Sequence, residues 1–214
     1  MLERCAETRL PTRTGEFRLL AYQDLGQGTR HVALVKGPVQ SLSPVLVRIH
    51  SECLTGDVFG SMRCDCGEQL NAALTAIQEE GAGVLIYLRQ EGRGIGIVDK
   101  VRAYKLQDDG LDTVDANLEL GFRPDHRDYG AAVEILQDLG VAAVRLLTNN
   151  PRKLSGFDDS SVEVVERIPI QTHPNRENHR YLKTKRDRLG HFLDLQESPG
   201  DRPAPSRYDK DHST

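Results

Sequence analysis

Three cysteines, Cys53, Cys64 and Cys66, lie within fourteen residues, and the fourth, Cys5, is far from them. One residue separates Cys64 from Cys66, so an extended segment places both sulfurs on the same side. A returning loop brings Cys53 in as a third thiolate. Three thiolates around a zinc ion leave one tetrahedral position open, the arrangement of a catalytic site. Two other readings stay open on spacing alone. His50 or Cys5 as a fourth ligand would make the site structural, and three buried free thiols would hold no metal.

The sequence Glu91-Gly92-Arg93-Gly94-Ile95-Gly96 is a second candidate. It falls between an apolar strand pattern and a helical one. There, glycines let backbone N–H groups approach an anion at a helix N-terminus. It matches neither the Walker pattern nor the full dinucleotide fingerprint. Arg48, Arg93 and Lys153 are the charged candidates for holding phosphate. Thr148 follows an apolar strand, at the end where open α/β sheets bind ligands. Tyr104, in the helix after the glycine turn, reads on its own as a half-buried packing residue.

These residues need a scaffold, and 214 residues are enough for a sizeable core. A net charge of −4 argues against a general nucleic-acid binder. No run of eighteen apolar residues suggests a membrane span, and the N-terminus lacks an apolar signal core. A cytoplasmic location is expected, where cysteines serve as thiols or metal ligands. Phe17–Tyr22, His31–Val35 and Pro44–Ile49 read as strands separated by Gly or Pro. Leu70, Ala73, Leu74 and Ile77 form a helical stripe ended by Gly81 and Gly83. The strand Gly83–Leu88 follows, then the glycine turn and a helix from Ile97 to Gln107. Ala132, Ile135, Leu136 and Leu139 mark another helix, which leads into the strand Val141–Leu147. Arg176–Leu195 is polar and helical in pattern. Alternating helices and strands imply an α/β class, with a mixed sheet because the N-terminal part is β-rich. Residues 196–214, with three prolines in the first ten, are expected to be a disordered tail after a domain spanning 1–195.

Six motifs occur in order: Arg48-Ile49-His50-Ser51-Glu52-Cys53-Leu54-Thr55-Gly56-Asp57; Ser61-Met62-Arg63-Cys64-Asp65-Cys66-Gly67; Arg89 through Gly96; Arg102-Ala103-Tyr104 with Asp112-Thr113; Arg127-Asp128-Tyr129; and Leu147-Thr148-Asn149-Asn150-Pro151-Arg152-Lys153. Together they resemble the GTP cyclohydrolase II family of riboflavin biosynthesis, from about Leu10 to Leu195. The resemblance implies that family's fold and a zinc-dependent hydrolysis of GTP. The guanine imidazole ring opens, and formate and pyrophosphate leave. It implies Cys53, Cys64 and Cys66 as zinc ligands, Mg²⁺ on the triphosphate, and a homodimer. Asp125 is implied as base, Arg127 as the group acting at the α-phosphorus, and Tyr104 in completing ring hydrolysis. A protonated guanidinium is a poor nucleophile, so Arg127 is better read as an electrostatic clamp. The implied GTP contacts are Arg48, Ile49, His50, Ser51, Glu52, Gln69, Glu91, Gly92, Arg93, Thr113, Thr148 and Lys153. Glu52 or Glu91 would read the guanine amine. The acidic, polar stretch 155–161 lies close to Lys153. The family also occurs fused to a domain making dihydroxybutanone phosphate, and this chain resembles the stand-alone form. Alternatives are a paralogue that stops at the formamide and a non-catalytic zinc-stabilised nucleotide-binding module.

Overall fold

The computed structural model describes residues 1–123 and 125–195, and the tail expected from 196 onward lies outside them. The strands are β1 (Leu2–Pro11), β2 (Glu16–Asp24), β3 (Arg30–Lys36), β4 (Val45–Ser51), β5 (Gly83–Leu88), β6 (Ala143–Leu147) and β7 (Glu163–Ile168). They form one sheet in the order β1-β2-β3-β5-β4-β6-β7. The strands from β1 to β3 form an antiparallel meander that joins β5 antiparallel, whereas β5, β4, β6 and β7 run parallel. The sheet is mixed, as the β-rich N-terminal part implied. The helices are α1 (Leu54–Asp57), α2 (Cys66–Glu80), α3 (Gly96–Asp108), α4 (Thr113–Glu119), α5 (Gly130–Asp138), α6 (Pro151–Ser155) and α7 (His179–Asp187).

The two faces of the sheet carry separate cores. Val45, Val47 and Ile49 of β4 pack with Val84, Ile86, Val144 and Leu146 against Ala132, Ile135, Leu136 and Leu139 at α5. Leu46 and Leu85 face the other way, against Ala73 and Ile77 of α2. The two-residue period of a strand then puts Arg48 and His50 on the α2 side. Ile77 is fully buried, and truncating it to alanine would cost about 2–5 kcal/mol. Gly81, at φ 77°, ends α2 in a left-handed cap.

Four features differ from the sequence reading. β1 forms a long edge strand although most of it is exposed. β7 forms the other edge. α4 is a two-turn helix whose start is capped by Asp112, which accepts from the N–H groups of Val114 and Asp115. The C-terminal helical pattern reduces to α7, and Gly190 turns left-handed just beyond it.

Candidate active site

The cleft opens where β4, β5 and β6 end. After Ser51 the chain turns, and Cys53 sits at the N-terminus of α1. Cys64 lies in the following loop, and Cys66 is the first residue of α2. The three sulfurs lie within 4.8 Å of one another, with Cys53 and Cys64 3.7 Å apart. Two glycines make this possible. A Cβ on Gly56 would stand 2.8 Å from the Cys64 sulfur and 3.3 Å from that of Cys53, and one on Gly67 would stand 2.3 Å from the Gly56 carbonyl.

Neither alternative fourth ligand joins them. Cys5 is exposed on β1. The His50 Nε2 is held by the Asp57 carboxylate at 3.0 and 3.1 Å, and its ring stacks on Tyr87. Among the described residues the sulfurs stand without a fourth Cys, His or acidic ligand. Hydrogen bonds from Cys64 and Cys66 lower the Cys53 thiol, while bonding to Cys53 pushes Cys64 up to about 11 and Cys66 well above its ordinary value. One negative charge is thus easily held and the second and third are not, which is the condition a cation relieves. The donor set and the Cβ-free space at Gly56 fit a single soft metal ion, held by Cys53, Cys64 and Cys66.

Lys100 of α3 lies against this group. Its ammonium donates to the Cys53 sulfur at 3.1 Å, the Thr55 hydroxyl at 3.0 Å and the Glu91 carboxylate at 2.8 Å. The Tyr104 phenol is 3.4 Å from the same hydroxyl, and burial raises its pKa, keeping it protonated.

Away from the sulfurs the cleft is rich in cations: Arg48, Arg93, Lys100, Arg127, Lys153 and Lys185 all line it. Arg48 donates to Gln69 at 2.6 Å and to the Leu147 carbonyl at 2.9 Å, and burial lowers its pKa to about 10. Lys153 donates to the Ile49 carbonyl at 2.7 Å. Burial pushes its pKa well down, with Arg48, Arg127 and Lys185 adding to the effect. Arg93 holds a left-handed φ of 61°, and its two terminal nitrogens are buried without a hydrogen-bond partner among the described residues. Donors buried in this way call for an anion. Arg127 forks onto Asp125 at 2.9 and 2.6 Å. Burial would raise the Asp125 carboxyl, but Arg127, with Arg152 behind it, holds it below the usual range.

A GTP cyclohydrolase II family model matches residues 3–169. The chain belongs to the GTP cyclohydrolase II family. It is 55% identical over 193 residues to the riboflavin biosynthesis protein RibBA of Chlorobium phaeovibrioides, covering 90% of this chain and 47% of that protein. It is 58% identical over 189 residues to the RibBA protein of Bacillus cytotoxicus, covering 88% and 48%. The chain thus spans about half the length of the curated relatives it matches. A solved structure of RibBX, a two-domain 3,4-dihydroxy-2-butanone 4-phosphate synthase from A. baumannii, shares 23% identity at a TM-score of 0.44, covering 80% of this chain and 40% of that one.

In this GTP cyclohydrolase II family member, most of the residues singled out in the sequence line one cleft. Arg48, His50, Ser51, Glu52, Gln69, Glu91, Gly92, Arg93, Tyr104, Thr113, Arg127, Thr148 and Lys153 all do so, with the three cysteines. Ile49 does not, because its side chain belongs to the α5 core and only its carbonyl turns toward Lys153. Asp125 stands behind Arg127. The Glu91 carboxylate is taken up internally by the N–H groups of Leu54 and Gly92 and by Lys100. Sequence reasoning missed Lys100, Asp57, Asp65, Tyr181, Lys185 and His191. Asp57 accepts from Tyr87 and from the Cys53 N–H while holding His50. The one available signal was Lys100 and Tyr104 falling four apart, on one face of α3.

Proposed function

We propose that the protein hydrolyses GTP to 2,5-diamino-6-(5-phospho-ribosylamino)pyrimidin-4(3H)-one, formate and pyrophosphate, as a zinc-dependent cytoplasmic homodimer. The observation that carries this reading is a three-thiol group sharing one cleft with six cations, among them Arg93, whose terminal nitrogens have no hydrogen-bond partner among the described residues. Bound by Cys53, Cys64 and Cys66, zinc would supply a Lewis acid that ionises water near neutral pH.

The chain's own residues do the rest. Arg48, Arg93 and Lys153 hold the phosphates. Binding there relieves the repulsion among cations that stand close together without an anion. Arg127 clamps the α-phosphate as a protonated guanidinium, since burial beside Asp125 does not free it of its proton. When Arg127 turns to the phosphate, Asp125 loses its forked partner and becomes a stronger base. Tyr104 stands one hydroxyl from the Cys53 sulfur, through Thr55, where it orients the opened formamide for hydrolysis. With Glu91 engaged internally, Glu52 reads the guanine amine and ring N–H, its carboxylate held by Arg89 at 2.8 Å. Mg²⁺ arrives on the triphosphate. Among the described residues no acidic cluster gathers to hold it.

The test is incubation with GTP and Mg²⁺, with and without a zinc chelator, assaying formate, pyrophosphate and the pyrimidine. Equal formate and pyrophosphate, both lost on chelation, is the expected result. Pyrophosphate without formate would favour the formamide-forming alternative. Folded, zinc-loaded protein that turns over no GTP would refute the reading.

A further inference from the structure

We propose that Lys185 of α7 is a positioning residue of the cleft, fixing the Gln69 amide through Asp65 and the Arg48 guanidinium through Gln69. The chain of contacts is continuous. The Lys185 ammonium donates to one Asp65 oxygen at 2.8 Å. The other Asp65 oxygen accepts from the Gln69 amide nitrogen at 2.6 Å. The Gln69 amide oxygen accepts from Arg48 at 2.6 Å, and Arg48 reaches the Leu147 carbonyl. Asp65 is fully buried, and Arg48, Gln69 and Lys185 are each 9% exposed or less. The relay ties α7 to the start of α2, to the middle of β4 and to the end of β6, across 120 residues of sequence.

The polarity of this relay is what makes it specific. An amide can turn end for end at little steric cost. Here Asp65 offers only acceptor oxygens and Arg48 only donors, so a single orientation satisfies both. Lys185 grips the far oxygen of Asp65, which fixes the rotation of the carboxylate and so aims its near oxygen at the Gln69 amide nitrogen. Without the ammonium, nothing holds the far oxygen, the carboxylate is free to rotate, and the Gln69 orientation is no longer enforced. Arg48 then keeps the Leu147 carbonyl but loses the second contact that fixes its guanidinium plane in the cleft. Lys185 therefore acts on the ligand through three other residues.

The amide measurement is independent of function, whereas the binding measurement rests on the GTP reading proposed above. In ¹⁵N-labelled protein, the Gln69 side-chain NH₂ is identified as the pair missing from Gln69→Leu. It is expected downfield and slow to exchange in the wild type. In Lys185→Met, with zinc content retained, it moves to the position of a free glutamine amide. Binding of α,β-methylene-GTP weakens roughly tenfold, the scale of one hydrogen bond to a charged group. In an Asp65→Asn background the Lys185→Met change adds less than about twofold, because the two share one path. If Lys185→Met fails to fold, Asp65→Asn interrupts the same relay and carries the same expected amide shift. An unchanged Gln69 signal, or independent multiplying effects of the two substitutions, would overturn the proposal. Wild-type protein that binds no analogue would count against the GTP reading, while the amide signal still decides the role of Lys185.

Discussion

Replacing Glu91 by glutamine removes one charge and one acceptor at the point where three segments meet. The carboxylate accepts from the Leu54 N–H at 2.6 Å, the Gly92 N–H at 2.7 Å and the Lys100 ammonium at 2.8 Å. Its side chain and that of Lys100 are each 10% exposed. A glutamine has one acceptor oxygen for these three donors. The least costly placement keeps the oxygen on Gly92 and Lys100 and sets the NH₂ group against Leu54, leaving that N–H unsatisfied at about 1–3 kcal/mol. Lys100 also loses its one carboxylate partner among the described residues. Breaking a buried pair costs about 3–5 kcal/mol, less here because Cys53 and Thr55 still accept from the ammonium. A net loss of about 3 kcal/mol follows. At about 2–4 °C per kcal/mol for a chain of this size, Tm drops by about 6–12 °C. Scanning calorimetry on zinc-matched samples measures it. A shift below about 2 °C at full zinc content would show that Glu91 does not tie the glycine turn to the thiol loop.

Cys64→Ser should bind zinc far more weakly and lose formate release with it, while far-UV dichroism stays near wild type. Metal analysis after gel filtration decides, and a full zinc complement would sink the three-thiolate assignment. Arg127→Lys keeps a charge but cannot fork onto both Asp125 oxygens, so pyrophosphate release should fall roughly a hundredfold, the scale of losing one preorganised donor. Near-normal turnover would remove both the clamp and the nucleophile reading. Burial, with Lys185, Arg127 and Arg93 nearby, lowers the His191 pKa to about 3. Its folded value lies below the unfolded one of about 6.5, so the unfolded chain takes up the proton first as pH falls. The protein should lose up to about 1.4 kcal/mol per pH unit through this group between pH 6.5 and 5, above the carboxylate range. His191→Gln should make the pH dependence of urea-melt stability shallower across that window, with buried His50 and His31 keeping part of the slope, and an unchanged slope would refute the assignment.

Much of the scaffold was legible because burial imposed a period on it. β4 is buried at six consecutive positions, and α2 repeats its apolar residues at helical spacing, so both stood out. β1 did not. An edge strand with Glu3, Arg4, Glu7 and Arg9 facing solvent has no buried face to enforce alternation. β7 is an edge as well, and its pattern is weak for the same reason. In the site, the thiols and most charged residues were readable from local motifs. Lys185 was not, because what distinguishes it is a partner 120 residues away. Glu91 and His50 were readable as polar residues near the chemistry. Their occupation by Leu54, Gly92, Lys100 and Asp57 is a product of packing that no spacing encodes.

The position of α7 in the chain has a consequence for synthesis. Among the described residues sheet pairing needs nothing beyond Ile168, and the three sulfurs are supplied before residue 67. Tyr181 and Lys185, which line the cleft, leave the ribosome only after that. A nascent chain stalled in between would carry a paired sheet and a thiol group facing an unwalled cleft, open to the thiol-reactive and metal-binding molecules of its surroundings. Arrival of α7 would then wall the cleft with Tyr181 and Lys185.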